Sequence, residues 1–476
     1  MPSTVLPVPP GPADEIDAAA IRSDPLRFLS DLTARHGALS SHRTGGERVY
    51  VLNSAGLARR VLKDDYTSYT KAGTPDDHML SPLLGDGLLT SNGEIWARQR
   101  HLCAPSFRRA AVEEFGTLMT TAAADLADRW GKDADDGHNV RVDHDLTSLT
   151  LRIVVAALLG SDQADLGQGF GRAVDAINRF IGHYDGIAPM TGDLAVRRDA
   201  YAAAERFLRG VVGLLIAARR LSGGHEDLLA AMMGSGGPSG QTLSDRELYD
   251  QVLTMVMAGH ETTAKALTWT LHVLAGQPDI ASAVRGELRL VLNGRVPTAA
   301  DLPALGLTRR VVDEVVRLYP PVWLISRRAT RDTELGGYLV RAGTLVCISP
   351  WTLHRNPAYW PDPERFDPDR FLPGAAAEGP GQSSAAAEGP GQSSAAAEGP
   401  GQSGAAPRPS HAYIPFGGGP RVCIGRAFAL TEAVLVLATI LPRLSLAHVT
   451  GMPVEPEALV TLRPRNGLVM SVRRRP

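Results

Sequence analysis

Cysteine is scarce in this chain. Three residues in 476, Cys103, Cys347 and Cys423, cannot staple a protein of this length, which excludes a disulfide scaffold. A surplus of positive charge is missing too. The 49 Lys and Arg face 51 Asp and Glu for a net charge of −2, which argues against a nucleic-acid binder with its dominant basic face. No long hydrophobic run occurs. Val211–Ala218 and Ala433–Leu441 fall short of the ~18 residues a membrane span requires. Met1–Asp17 is Pro-rich, without Lys or Arg and without an apolar core, so it reads as neither a signal peptide nor an anchor. The expectation is a soluble, cytoplasmic globular protein.

One stretch lacks everything a core needs. Residues 375–404 hold three tandem ten-residue copies of AAAEGPGQS[SG] with no branched aliphatic or aromatic side chain. Such a segment cannot offset its ordering entropy and is expected to be a disordered insertion in a surface loop. Residues 1–24 are expected to form a Pro-rich N-terminal segment, and 25–476 one domain interrupted by the repeats.

The remainder is mainly α with small β-sheets. Helical spacing runs through 111–130, 145–159, 197–220, 245–275 and 424–441. Arg48–Asn53 reads as a strand. Leu335–Val340 with Thr344–Ile348 reads as a hairpin, and Val460–Leu462 with Leu468–Val472 around Asn466-Gly467 as another. The 245–275 helix starts with a capping box, Ser244 and Glu247, and stops at Gly276 and Pro278. About 30 residues at ~1.5 Å each give a rod ~45 Å long. Its middle carries Ala258-Gly259-His260-Glu261-Thr262-Thr263, flanked by residues apolar nearly all round. A glycine, a carboxylate and hydroxyls in the middle of a buried helix are costly, which favours a site over a solvated stripe.

The sharpest signal is Phe416-Gly417-Gly418-Gly419-Pro420-Arg421-Val422-Cys423-Ile424-Gly425, directly before a helix. A lone cysteine is more often a small buried hydrophobe. At a helix N-terminus, however, the dipole and free N–H groups favour a thiolate. The glycines let the backbone pass close to a flat cofactor, and Arg421 can pair with an acidic edge of it.

Here the chain resembles the cytochrome P-450 superfamily, of the soluble actinobacterial type. The Cys loop fits F-x-x-G-x-R-x-C-x-G. Glu314-Val315-Val316-Arg317 matches the E-x-x-R helix, and Pro363-Glu364-Arg365-Phe366 the segment that supplies a second arginine to it. Gly259–Thr263 matches the oxygen-activation segment, and Trp96 with Arg100 the W-x-x-x-R helix. The resemblance implies a single P-450 domain with a long central helix over haem b. Cys423 would be the axial iron ligand, and Trp96, Arg100, Arg327 and Arg421 would bind the propionates, with Arg328 the fallback for Arg327. Glu314, Arg317 and Arg365 would be a structural triad. Glu261 and Thr262 would be the acid–alcohol pair that delivers protons to the distal oxygen. The implied activity is insertion of one atom of O2 into a lipophilic small molecule in bacterial secondary metabolism.

Lys265 departs from that pattern. Four residues after Glu261, it is placed to restrain the acid as an ion pair or to contact an acidic substrate, or else to snorkel toward solvent. Residues 96–110 carry Arg98, Arg100, His101, Arg108 and Arg109 without an acid, a candidate docking face for an acidic electron donor. The Gly167-x-Gly169-x-Gly171 run fails dinucleotide spacing. Electrons are therefore expected from separate proteins, which the resemblance implies are a ferredoxin and ferredoxin reductase. A zinc hydrolase is excluded because an H-E-x-x-H motif would need histidine where Ala264 stands. A cysteine nucleophile would need a partner histidine that the loop does not carry. A peroxide-driven or idle haem protein would not need the intact Glu261-Thr262 pair. The resemblance implies a distal pocket lined from 71–95, 180–200, the helix face near Ala258, Val322–Ile325 and the turn near 463–467. Leu83, Leu84, Leu88, Leu89, Val322, Trp323, Leu324 and Ile325 make it apolar. Terpenoids are favoured over polyketides and fatty acids.

Overall fold

The computed structural model describes residues 6–159, 169, 172–173, 176–177, 180, 194–222, 228–234, 242–372 and 408–475. The 375–404 repeats and most of the Gly167–Gly171 run lie outside them.

The long helix spans Asp245–Gly276 and is the axis of the fold. Its N-terminus is closed by the expected capping box: Glu247 N–H donates to Ser244, and the Glu247 carboxylate accepts from Ser244 N–H at 3.0 Å. Val252, Leu253, Val256, Ala264, Leu267 and Trp269 are buried around its circumference. It packs against the helices Val142–Leu159, Gly306–Leu318 and Arg426–Ile440. Helices also span Gly116–Asp135 and Leu194–Ser222, close to the expected ranges.

The strands are β1 (Leu39–Thr44), β2 (Glu47–Leu52), β3 (Tyr69–Thr70), β4 (Asn139–Arg141), β5 (Ile325–Ala329), β6 (Thr333–Leu335), β7 (Tyr338–Val340), β8 (Leu345–Ile348), β9 (Leu444–His448), β10 (Pro456–Ala458), β11 (Leu462–Pro464) and β12 (Val469–Arg474). One sheet has the order β1-β2-β8-β5-β3, with β2 and β8 parallel. Another has the order β4-β12-β9. The Pro-rich N-terminal segment runs along β1: Ser41 N–H donates to Pro10 O and Ser41 Oγ to Pro9 O, both at 2.8 Å, and Ile16 N–H donates to Arg43 O.

Neither expected hairpin forms. Leu335–Val340 is itself folded back at Gly336-Gly337, whose φ values of 62° and 84° make the turn, so that β6 pairs β7. β8 instead joins β2 and β5. All four of its residues are buried, and a strand apolar on both faces belongs inside a sheet rather than in a two-stranded arm. Asn466-Gly467 does turn the chain, but β11 pairs β10 while β12 pairs β4 and β9.

Candidate active site

A cavity of about 930 Å3 lies between the central helix and the Phe416–Gly425 loop. Leu84, Leu88, Leu89, Val322, Trp323, Leu324 and Ile325 line it as expected, whereas Leu83 is 2% exposed and belongs to the core. The turn near 463–467 does not line it. Ala458–Thr461, just before that turn, takes the position, and 463–467 edges a separate polar cleft. Most of the expected 180–200 wall lies outside the described residues. The cavity also reaches Phe28, His42 and Val49, an N-terminal wall that no local motif announces.

Cys423 sits at the cavity's floor. The loop is held by Cys423 N–H donating to Phe416 O at 2.9 Å and Gly417 N–H to Ile414 O at 3.0 Å. Gly419 has φ +65°, and a Cβ there would stand 1.9 Å from Leu62 O, so no other residue fits. The exposed surface of Cys423 faces the cavity it lines, while dense chain surrounds it. Burial therefore raises its thiol pKa. The Gly425 amide, Arg100 and Arg426 oppose that shift.

Four cations meet along the cavity wall: Lys71, Arg100, Arg327 and Arg421. Arg421 lies over the Trp96 ring, 4.4 Å from its centroid, and donates to Ser91 O at 2.8 Å. Arg327 is 9% exposed, and burial lowers its pKa to about 10. Its neighbour Arg328 is committed elsewhere, to Glu47, Gly73 O and Gly343 O. Lys71 was not foreseen. Burial first, then Arg327, brings its ammonium down to about 7. Asn92 was also missed: its Oδ1 accepts from Thr70 Oγ1 at 3.0 Å, Lys71 N–H at 3.1 Å and Arg421 at 3.3 Å, tying three segments together. An Asn-Gly before a helix is a readable N-cap signal, yet this side chain makes no cap bond. Asp76 supplies a carboxylate beside Lys71 and Arg327, and burial raises its pKa.

Opposite the loop, Thr262 Oγ1 donates to Ala258 O, four residues earlier, at 2.8 Å. Glu261, Thr262 and Thr263 all line the cavity. Glu261 Oε1 accepts from Thr461 Oγ1 at 2.9 Å. Lys265 is 8% exposed and reaches Thr147 Oγ1 at 3.4 Å, bordering the polar cleft with Arg141, Asp143 and Arg463 rather than the cavity.

Glu314 and Arg317 are wholly buried and paired twice, at 2.6 and 2.8 Å. The third guanidinium differs from the expected one. Arg365 is exposed and contributes only its carbonyl, to Arg317 at 3.2 Å. Arg370 stands 3.4 Å from Glu314 Oε1 instead. The loop contains P-x-R-F twice, as Pro363-Glu364-Arg365-Phe366 and Pro368-Asp369-Arg370-Phe371. The second copy lies on a short helical turn that aims its arginine inward.

The basic run at 96–110 is largely engaged. Arg98 pairs with Glu247, Arg109 with Glu113 at 2.8 Å, and Arg100 faces the cavity. Arg108 remains as an exposed cation of the expected docking face, with His101 exposed in the same run.

These residues fit haem. A cavity with a cysteine at its floor, glycines beneath, and four wholly or partly buried cations along one wall offers an iron ligand and partners for two propionates. Arg327 and Arg421 add to the burial that lowers the pKa of Lys71.

Comparison with known proteins agrees. Residues 18–470 match the family described as Cytochrome P450. Cyclooctatin synthase of Streptomyces melanosporofaciens is 35% identical over 452 residues, covering 92% of this chain and 89% of that protein. Pentalenene oxygenase of Streptomyces avermitilis is 33% identical, covering 92% and 90%. Among solved structures, the cytochrome P450DA heme domain superposes with a TM-score of 0.82 at 27% identity, covering 99% of this chain and 98% of that one.

Proposed function

The chain belongs to the cytochrome P450 family, a haem b monooxygenase of lipophilic small molecules, and from that premise we propose that its substrate is a terpenoid of bacterial secondary metabolism. The observation that carries the reading is a single apolar cavity bounded by Cys423 on one side and Glu261-Thr262 on the other. Two Streptomyces relatives whose names point to terpenoid oxidation support the substrate class.

Haem b supplies oxygen activation when bound, the electron donation of its thiolate ligand favouring O–O cleavage. In our reading Cys423 Sγ holds the iron, with the Gly425 amide turned toward the sulfur. Arg100, Arg327 and Arg421, with Trp96 under Arg421, hold the propionates. Glu261 carries protons inward, and Thr262 Oγ1 passes them on from its place beside Ala258 O. The leucine- and valine-rich wall excludes water and orients the substrate by shape. Glu314, Arg317 and Arg370 brace the core beneath.

P450 enzymes take electrons from a redox partner. For this chain we assign a separate ferredoxin with its reductase, acting in the cytoplasm. Among the described residues no helix is long and apolar enough to cross a membrane.

The test is a Soret titration of the purified holoprotein with terpenes, polyketide fragments and fatty acids. A saturable shift with terpenes alone is expected. A shift with another class instead overturns the substrate assignment, and failure to bind haem overturns the site.

A further inference from the structure

Glu261 has a specific partner on a distant segment of the chain. Thr461 Oγ1 donates to Glu261 Oε1 at 2.9 Å, and Thr461 is itself 4% exposed. A hydroxyl in that position does more than fill space. With Oε1 engaged as an acceptor, it is defined as the carbonyl-type oxygen, and the proton of the acid form is left to Oε2. The bond therefore chooses which oxygen of the carboxyl can give a proton, and it fixes the rotation of that carboxyl on the helix.

Thr461 is not an isolated contact. It ends the segment Ala458–Thr461, which lines the cavity. That segment is clamped from outside: Trp323 Nε1 donates to Leu459 O at 2.7 Å, Trp269 Nε1 to Leu462 O at 3.1 Å, and Leu462 N–H to Pro321 O at 2.9 Å. Trp269 belongs to the same central helix as Glu261, two turns further on. One short piece of chain thus has three functions at once. Its apolar residues face the substrate space, the residue that follows it, Leu462, is pinned to the central helix and to Pro321, and its hydroxyl holds the acid.

We infer that Thr461 is a positioning residue for Glu261, its hydroxyl fixing which carboxyl oxygen delivers the proton into the cavity. The inference rests on the reading of Glu261 as the proton carrier. It makes tight coupling depend on that bond: with the hydroxyl in place the acid is aligned, and without it reducing equivalents escape as peroxide.

The experiment compares haem-loaded Thr461→Val, which keeps the shape and removes the donor, with Thr461→Ser, which keeps the donor, and with Glu261→Gln. The probe is the terpenoid giving the largest Soret shift in the panel above. For the valine variant, product per reductant consumed falls ~5-fold with a matching rise in peroxide, the scale of one ordinary hydrogen bond lost. Its Soret-titration Kd stays within ~2-fold, because volume is conserved, and the serine variant recovers coupling. A second readout needs no turnover or substrate: the infrared C–O stretch of carbon monoxide on the reduced haem shifts in the valine variant and returns in the serine one. Wild-type coupling and an unmoved C–O stretch in Thr461→Val, with Glu261→Gln impaired, overturn this inference alone. An unimpaired Glu261→Gln overturns the assignment of Glu261 and this inference with it.

Discussion

Two groups of buried charge lie on either side of the haem site, and they are built on opposite plans. Under the core, Glu314 accepts from Arg317 twice and from Asp367 N–H at 3.0 Å, with Arg370 alongside. Arg317 spends its remaining donors on the carbonyls of His354, Pro363 and Arg365. His354 closes the group as a neutral ring, because its Nε2 accepts from Ile414 N–H at 2.9 Å. Along the cavity, by contrast, Lys71, Arg100, Arg327 and Arg421 line one wall, where Asp76 acts on Lys71 and Arg327 and Asp77 on Lys71. The first group is internally complete and holds a fold. The second is a surplus of one sign, which persists in a protein only where a ligand brings the other.

The contrast breaks most forcefully at Arg317. Arg317→Leu leaves Glu314 buried without its main partner and is expected to cost ~3–5 kcal/mol, read as a fall in denaturation midpoint or loss of soluble protein. Within the same group, Arg370→Ala is expected to cost ~2 kcal/mol, the scale of a bond between charged groups. Arg365→Ala should stay within ~0.5 kcal/mol as an exposed position. Equal effects at 365 and 370 would reverse the assignment made above.

On the cavity side the expected effect moves from stability to ligand retention. Arg327→Leu should leave the melting of the haem-free protein near wild type yet speed haem transfer to apomyoglobin ~10-fold, one charged hydrogen bond converted to a rate. The smallest effect is a proton count. In the haem-free protein burial first, then Arg327, holds Lys71 down at about 7 even with Asp76 and Asp77 nearby, against an ordinary value of 10.5, so between those values part of the protein carries it neutral. Bound carboxylates raise that pKa. Haem binding near pH 8.5 should therefore take up less than one proton, haem affinity should decline as pH rises above about 7, and Lys71→Met should abolish the uptake. Calorimetry in buffers of different ionisation enthalpy measures it.

The two groups also differ in how far they can be read from sequence. Glu314 and Arg317 share a helix face by spacing alone, and Arg421 and Cys423 share one loop, so local pattern suffices for both pairs. The third arginine was misassigned because the P-x-R-F string occurs twice within ten residues, and only the short turn at Pro368–Phe371 decides which copy faces inward. Lys71, Asn92 and Thr461 are brought to the site by chain crossings with no local signature. The central helix was readable from its cap to its stop because helical bonds are local. The partners of β8 and β12 were not, because a turn motif says where the chain reverses and nothing about which strand lies beside it.

The N-terminal prolines have a consequence of a different kind. β1 is the outer strand of its sheet, and such a strand invites a second molecule to add its own backbone. Here residues 9–16 already occupy that margin, with Pro9 and Pro10 offering carbonyls to Ser41 but no N–H of their own. The covering chain can satisfy the strand on its inner side while giving a newcomer little to pair with on its outer side. A protein shortened to begin after Ile16 would expose that margin and acquire a tendency to self-associate through it, with the haem site untouched.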